Sequence, residues 1–196
     1  MTVSPHVSSA LSGIEPLSGL LPALRLLAHG LSNGQIAVED NDETGRIRRA
    51  VLTSTQLLIS SRQMDEKPAM PERLFGLLRA TVAHGVAHRR FSQPALPSHA
   101  LKPLGLAVVS AIEDARVERL LWRRYPGIRH WFLEQLAPVP DPGDLSFEAL
   151  VSRMDRILLD PDYSDDNHWV NKAKRLFEEV ASVHGLEAYA EFRAIA

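Results

Sequence analysis

The stretch that decides the fold is Leu101–Arg129, LKPLGLAVVSAIEDARVERLLWRRYPGIR, read together with Ala83–His88, AHGVAH, before it. Pro103 suits the first position of a helix, and Tyr125-Pro126-Gly127 is a strong breaker, so the spacing predicts one long helix between them. Leu106, Val109, Glu113, Val117 and Leu120 fall on one stripe of that helix, with Glu113 as its only charge. A carboxylate on an apolar stripe needs a partner. His84 and His88 lie one turn apart on the preceding helix, which is expected from Pro71 to about Arg90. Their face continues through Leu77, Thr81 and Phe91 and is partly directed at the core. His84 or His88 is therefore expected within hydrogen-bond or ligand reach of Glu113.

Working outward, the leucines at 17, 20, 21, 24, 27 and 31 repeat at helical spacing, with Gly30 and Asn33-Gly34 as stop signals. Pro22 is expected to delay the start of that helix. Gln35–Glu39 and Arg46–Ser60 are rich in Ile, Val and Thr and flank the polar turn Asp40–Gly45, which reads as a β-hairpin. Ile128–Leu136 reads as a short helix. Ser146 is a suitable N-cap for a helix with apolar positions at 147, 150, 151, 154, 157 and 158. A further helix is expected from His168 to about Val183. The fold class is α+β and mostly α-helical: a helical core with a small N-terminal hairpin. The expected organisation is a disordered stretch at 1–13, a core at 14–136 with the hairpin near 35–60, a linker at 137–144 (APVPDPGD) and a C-terminal helical extension at 145–196.

Bulk properties narrow the function. The chain has 196 residues, a net charge of -2, 45% hydrophobic residues and no cysteine. This size can bury a core without staples. The charge gives no case for nucleic acid or an anionic membrane, although Arg123, Arg124, Tyr125, Arg129, His130 and Trp131 form a basic-aromatic string. Thiolate metal sites, disulfides and cysteine nucleophiles are excluded, and a reducing cytoplasm fits. No signal peptide or spanning segment is legible, so a soluble cytoplasmic protein is expected. Phosphate-binding loops, nucleophile elbows and dinucleotide fingerprints are missing. The acidic loop with Asp160, Asp162, Asp165 and Asp166 lacks calcium-loop spacing and reads as a solvated capping loop. Trp122, Trp131 and Phe132 read as core packing or the cover of an interface.

Two histidines four apart, with a glutamate about 25 residues later on the next helix, match the ligand geometry of helical zinc metalloproteases. Those enzymes carry a general-base glutamate directly after the first histidine, and here that position is Gly85. Three readings follow, in the order the residues favour them. The first is a structural His–Glu network without metal. The second is zinc bound by His84, His88 and Glu113 in a zincin-like helix arrangement without peptidase activity. The third is a working hydrolase. Asp114 and Glu118 share one face with Arg119 and Arg123 nearby, and a solvated face with i,i+4 pairs is the plainer reading there.

Leu78–Ser92 (LRATVAHGVAHRRFS), Leu101–Gly127 and Leu159–Phe177 (LDPDYSDDNHWVNKAKRLF) resemble the N-terminal region of the nitric oxide reductase activation proteins. That group includes relatives that assist rubisco activation. The resemblance spans roughly residues 70–196, and IEDARVE with RRYPG is its most specific part. It implies a non-catalytic adaptor that works with a MoxR-type AAA+ ATPase to activate a target metalloenzyme. It also implies a von Willebrand factor A domain, whose adhesion motif these residues lack. On this reading the contact surfaces are the Arg116, Arg119 and Arg123 face and the acidic loop at Asp165 and Asp166.

Overall fold

The computed structural model describes residues 16–41, 50–60, 71–93 and 101–196. The expected disordered stretch at 1–13 lies outside the described residues. Helix α1 (Pro16–Ser32) buries Leu17, Leu24, Ala28 and Leu31 along one stripe. It runs through Pro22 rather than starting after it. Pro22 is on the exposed side, where water can take the carbonyl its missing N–H leaves free. The expected stop holds: Asn33 and Gly34 have φ of 54° and 76°, and the Gly34 N–H donates to the His29 carbonyl at 2.9 Å.

Three short strands follow: β1 (Ala37–Asp40), β2 (Val51–Leu52) and β3 (Gln56–Ile59), in the order β1-β3-β2. The hairpin is smaller than expected and lies elsewhere. β2 and β3 form it across Thr53–Thr55, whereas β1 pairs with β3 in parallel, Val38 opposite Leu57. The Thr53 hydroxyl accepts the Gln56 N–H at 2.9 Å and closes the turn locally. The other edge of β3 is thus left for β1, whose Val38 carbonyl is bound by Arg25 Nε of α1 at 2.9 Å. Most of the polar turn thought to join the strands lies outside the described residues.

Helix α2 (Pro71–Phe91) packs on α1 and β3, and α3 (Pro103–Arg124) packs on α2. A 3-10 turn (Pro126–Ile128) leads into α4 (Arg129–Leu133). Then come α5 (Phe147–Leu159), α6 (His168–His184) and α7 (Tyr189–Ile195). Ser146 caps α5 through the Ala149 N–H, and Asn167 caps α6 through the Trp169 and Val170 N–H groups. The architecture is mostly helical with one small sheet. Among the described residues no helix is long and apolar enough to cross a membrane.

α3 is the shared element. Val117 and Leu121 join a core made with α1, the sheet, α2 and α4, including Phe132 and the partly buried Trp122 and Trp131. Ala111, Ile112, Ala115 and Leu120 join a second core with α5, α6 and α7. Its middle is therefore enclosed on most sides, and its polar residues must find partners inside the fold.

Candidate metal centre

α2 buries Leu78, Val82, Ala83, Val86 and Ala87, and the small Ala111 and Ala115 of α3 are also buried. His84 and His88 thereby look across at Asp114 and Glu118, themselves one turn apart on α3. His84 Nδ1 and Glu118 Oε1 are 2.7 Å apart, and His88 Nε2 and Asp114 Oδ1 are 2.9 Å apart. The imidazoles meet edge to face, with centroids 4.5 Å apart. One ligand atom each of His84, His88 and Asp114 lie within 4.8 Å of one another, the one such group among the described residues.

Glu113 is not the acid that meets the histidines. Its carboxylate accepts from Arg116 Nε at 2.7 Å and from the Ser92 hydroxyl at 2.6 Å. It reaches His88 only through Ser92, whose Oγ is 2.9 Å from His88 Nδ1. Glu113 on the apolar stripe would be the inward acid only of a helix buried on one side. Because the middle of α3 is enclosed, Glu118 turns inward with its side chain only 10% exposed, whereas Asp114 stays at the edge with its side chain 40% exposed. Sequence reasoning missed both. The available signal was that they repeat the i,i+4 spacing of the two histidines.

A cavity of about 260 Å³ opens beside this cluster. Its polar wall comprises Thr81 and His84 of α2, Asp114 and Glu118 of α3, Gln135, and Asp155 of α5. Glu118 is only 7% exposed, and its Oε2 is shielded from solvent with no hydrogen-bond partner among the described residues. Burial pushes the Glu118 carboxyl up, an effect its bond to His84 only partly offsets. Burial alone would lower His84, but the Glu118 bond and the Asp114 charge outweigh it and raise the imidazole. Both directions favour keeping a proton within the pair. Asp155 is pushed up to about 7 by burial and by the charges of Asp114 and Glu118.

Gly85 is buried beneath the sheet. A Cβ there would sit 3.0 Å from both Leu57 methyls. The position at which zinc proteases carry their base is thus packed directly against β3.

The expected contact surface is mostly interior. Arg116 is 1% exposed and donates to the Phe91 and Leu186 carbonyls at 2.8 and 2.9 Å. Arg119 bonds the Leu158 carbonyl and Glu178 and lies over the Phe177 ring. Asp165 accepts from the buried Arg153 and from the Tyr163 hydroxyl, so its side chain is tied inside a loop whose Asp162 and Asp166 stay exposed. Arg123 and Asp166 remain exposed. No family model matches the chain, and neither does any curated protein or solved structure compared with it. The resemblance to activation proteins therefore rests on the quoted segments alone.

Proposed function

We propose that this chain is a divalent-metal-binding helical domain, with zinc held by His84, His88 and Asp114. The carrying observation is the convergence of those ligand atoms within 4.8 Å from two adjacent helices. Two imidazoles and a carboxylate are a zinc donor set, with a fourth position left for water or a ligand. Metal-bound histidines ordinarily have the second ring nitrogen held by a partner. Here Glu118 engages Nδ1 of His84, which leaves Nε2 for the ion. Ser92 engages Nδ1 of His88 and is itself tied to Glu113 and Arg116. That arrangement supports replacing Glu113 by Asp114 in the expected ligand set and giving Glu113 a supporting place behind His88.

The test is metal analysis and zinc calorimetry on the full chain without a histidine tag. About one zinc per chain is expected, and His88→Ala should abolish binding. No zinc uptake, or uptake indifferent to that substitution, would overturn the reading.

The resemblance adds a setting for the domain. In an activation adaptor it would contact a MoxR-type ATPase and a target metalloenzyme, with Gly85 in place of a hydrolytic base. Co-purification with a cognate ATPase and a change in its turnover would support that setting. Neither effect, at micromolar concentrations of both, would remove it.

A further inference from the structure

A zinc held by three protein ligands keeps a fourth position for water or a ligand. Its occupant has to arrive through an opening that both imidazoles share. The cavity of about 260 Å³ is lined by His84 but not His88, and another of about 190 Å³ by His88 but not His84. A wider groove of about 800 Å³, between α2 and the β2–β3 hairpin, is lined by both. The side chains of His84 and His88 are 37% and 24% exposed, so an ion between them is accessible from outside the fold.

The groove also differs in charge from the two smaller cavities. Asp114 lines both of those, joined by Glu118 and Asp155 in the first and by Glu113 in the second. Among the described residues the groove has no carboxylate on its walls, and it carries the guanidinium of Arg89. Arg89 is exposed, and its Nε donates to the Ser54 carbonyl at 2.8 Å, from α2 across to the turn of the hairpin. That bond anchors the guanidinium by one nitrogen. Nη1 and Nη2 have no partner among the described residues, and paired N–H groups of this kind match the two oxygens of a carboxylate.

We propose that this groove binds a small dicarboxylate, with one carboxylate completing the zinc and the other paired with Arg89. The proposal rests on the zinc reading and names the ligand class of that same site. Two neutral imidazoles and the Asp114 carboxylate leave a bound zinc with a net positive charge, and Arg89 supplies a second one. Two separate positive positions select two separate anionic groups over one compact anion. Arg89 follows His88 directly in the chain, so the two positions sit within one turn of α2 and set a short ligand. Ala50, Leu52 and Leu57 give the groove an apolar wall for the methylenes between the carboxylates.

Cobalt(II) in place of zinc reports on this position, because its visible bands follow the coordination sphere. The tag-free full chain loaded with cobalt is titrated with succinate, acetate and inorganic phosphate. Succinate should shift the bands, saturate at one per cobalt, and bind about tenfold tighter than either acetate or phosphate. Arg89→Gln should remove that advantage while leaving cobalt affinity unchanged. In the wild-type zinc-loaded chain, amide shifts on adding succinate should centre on Leu52, Ser54 and Gly85, a readout that needs no variant. Cobalt bands indifferent to succinate would overturn the groove and leave the metal reading standing. The groove is equally overturned if phosphate binds as tightly as succinate, if the advantage survives Arg89→Gln, or if the amide shifts fall on the smaller cavities, at Asp155 for example. If neither cobalt nor zinc binds, both readings fall.

Discussion

Arg116 has the most interior partners of any cation near the candidate site. It joins Glu113 to the carbonyls of Phe91 and Leu186, and so ties together the end of α2, the middle of α3 and the segment before α7. Removing one partner of a buried ion pair leaves the other charge uncompensated, so Arg116→Ala should cost about 3–5 kcal/mol in denaturant unfolding. A loss below about 1 kcal/mol would mean that solvent reaches Glu113 in the folded chain. Gly85 presents a closer balance. Alanine gains roughly 1 kcal/mol over glycine inside a helix, but overpacking a closed core costs about 1–3 kcal/mol. Leu57 is 2% exposed and has little room to retreat. Gly85→Ala should therefore lower stability by about 1 kcal/mol, and Gly85→Glu by more; a stabilised Gly85→Ala would show that Leu57 yields.

Asp155 gives a pH signature. Its folded-state pKa of about 7 lies above the ordinary 3.8, so the folded chain holds this proton more tightly than the unfolded one. Its contribution to stability is fully present below about pH 4 and is lost as pH rises through about 7. In metal-free protein, Asp155→Asn should gain stability over wild type on going from about pH 4.5 to about pH 8. A difference independent of pH, measured by urea unfolding at both values, would contradict this.

At the scale of elements, the helices were legible wherever local chemistry decides them. Pro103 and Tyr125-Pro126-Gly127 bound α3, Ser146 caps α5, and α6 covers the expected span. Local signals failed where the partner is distant in the chain. The strand run at 35–60 does contain strands, but which edge pairs with which is set by packing on α1 and α2 rather than by the polar turn. Pro22 failed for a related reason, because burial of Leu17 and Leu24 on either side holds α1 together across it. The link between α5 and α6 is an element-scale device that the sequence did not disclose. Burial would raise Asp165, but bonds from Arg153, Tyr163 and the Asn167 backbone outweigh it and hold the carboxyl at about 2. A depressed folded-state pKa gives stability that is present above about pH 4 and lost as pH falls through about 2. Asp165→Asn should therefore lower the melting temperature at about pH 7 and converge with wild type toward about pH 2. A constant offset across that range would mean the pair is not what fixes the loop.

At the scale of the whole molecule, α3 is a partition wall with an apolar core on either side and a polar layer facing α2. That arrangement explains how much of the site could be read beforehand. His84 and His88 were recognisable from their spacing, and a buried acid on the next helix was a sound expectation. Which acid it is depends on how far α3 is enclosed, and that follows from α5, α6 and α7 packing on its far side. The same enclosure moved Arg116 and most of Arg119 from the expected surface into the interior. Asp155 was still less accessible to sequence reasoning, because its relevance appears only once α5 lies against α3.

The central claim is that His84, His88 and Asp114 form a zinc site, with Glu113 acting behind them. Zinc calorimetry on the tag-free full chain, comparing Asp114→Asn with Glu113→Gln, tests it most directly. The account predicts that Asp114→Asn abolishes binding and that Glu113→Gln, acting through Ser92 and His88, weakens it by about 10–100-fold. Equal losses from the two substitutions, or a wild-type chain that takes up no zinc, would contradict it.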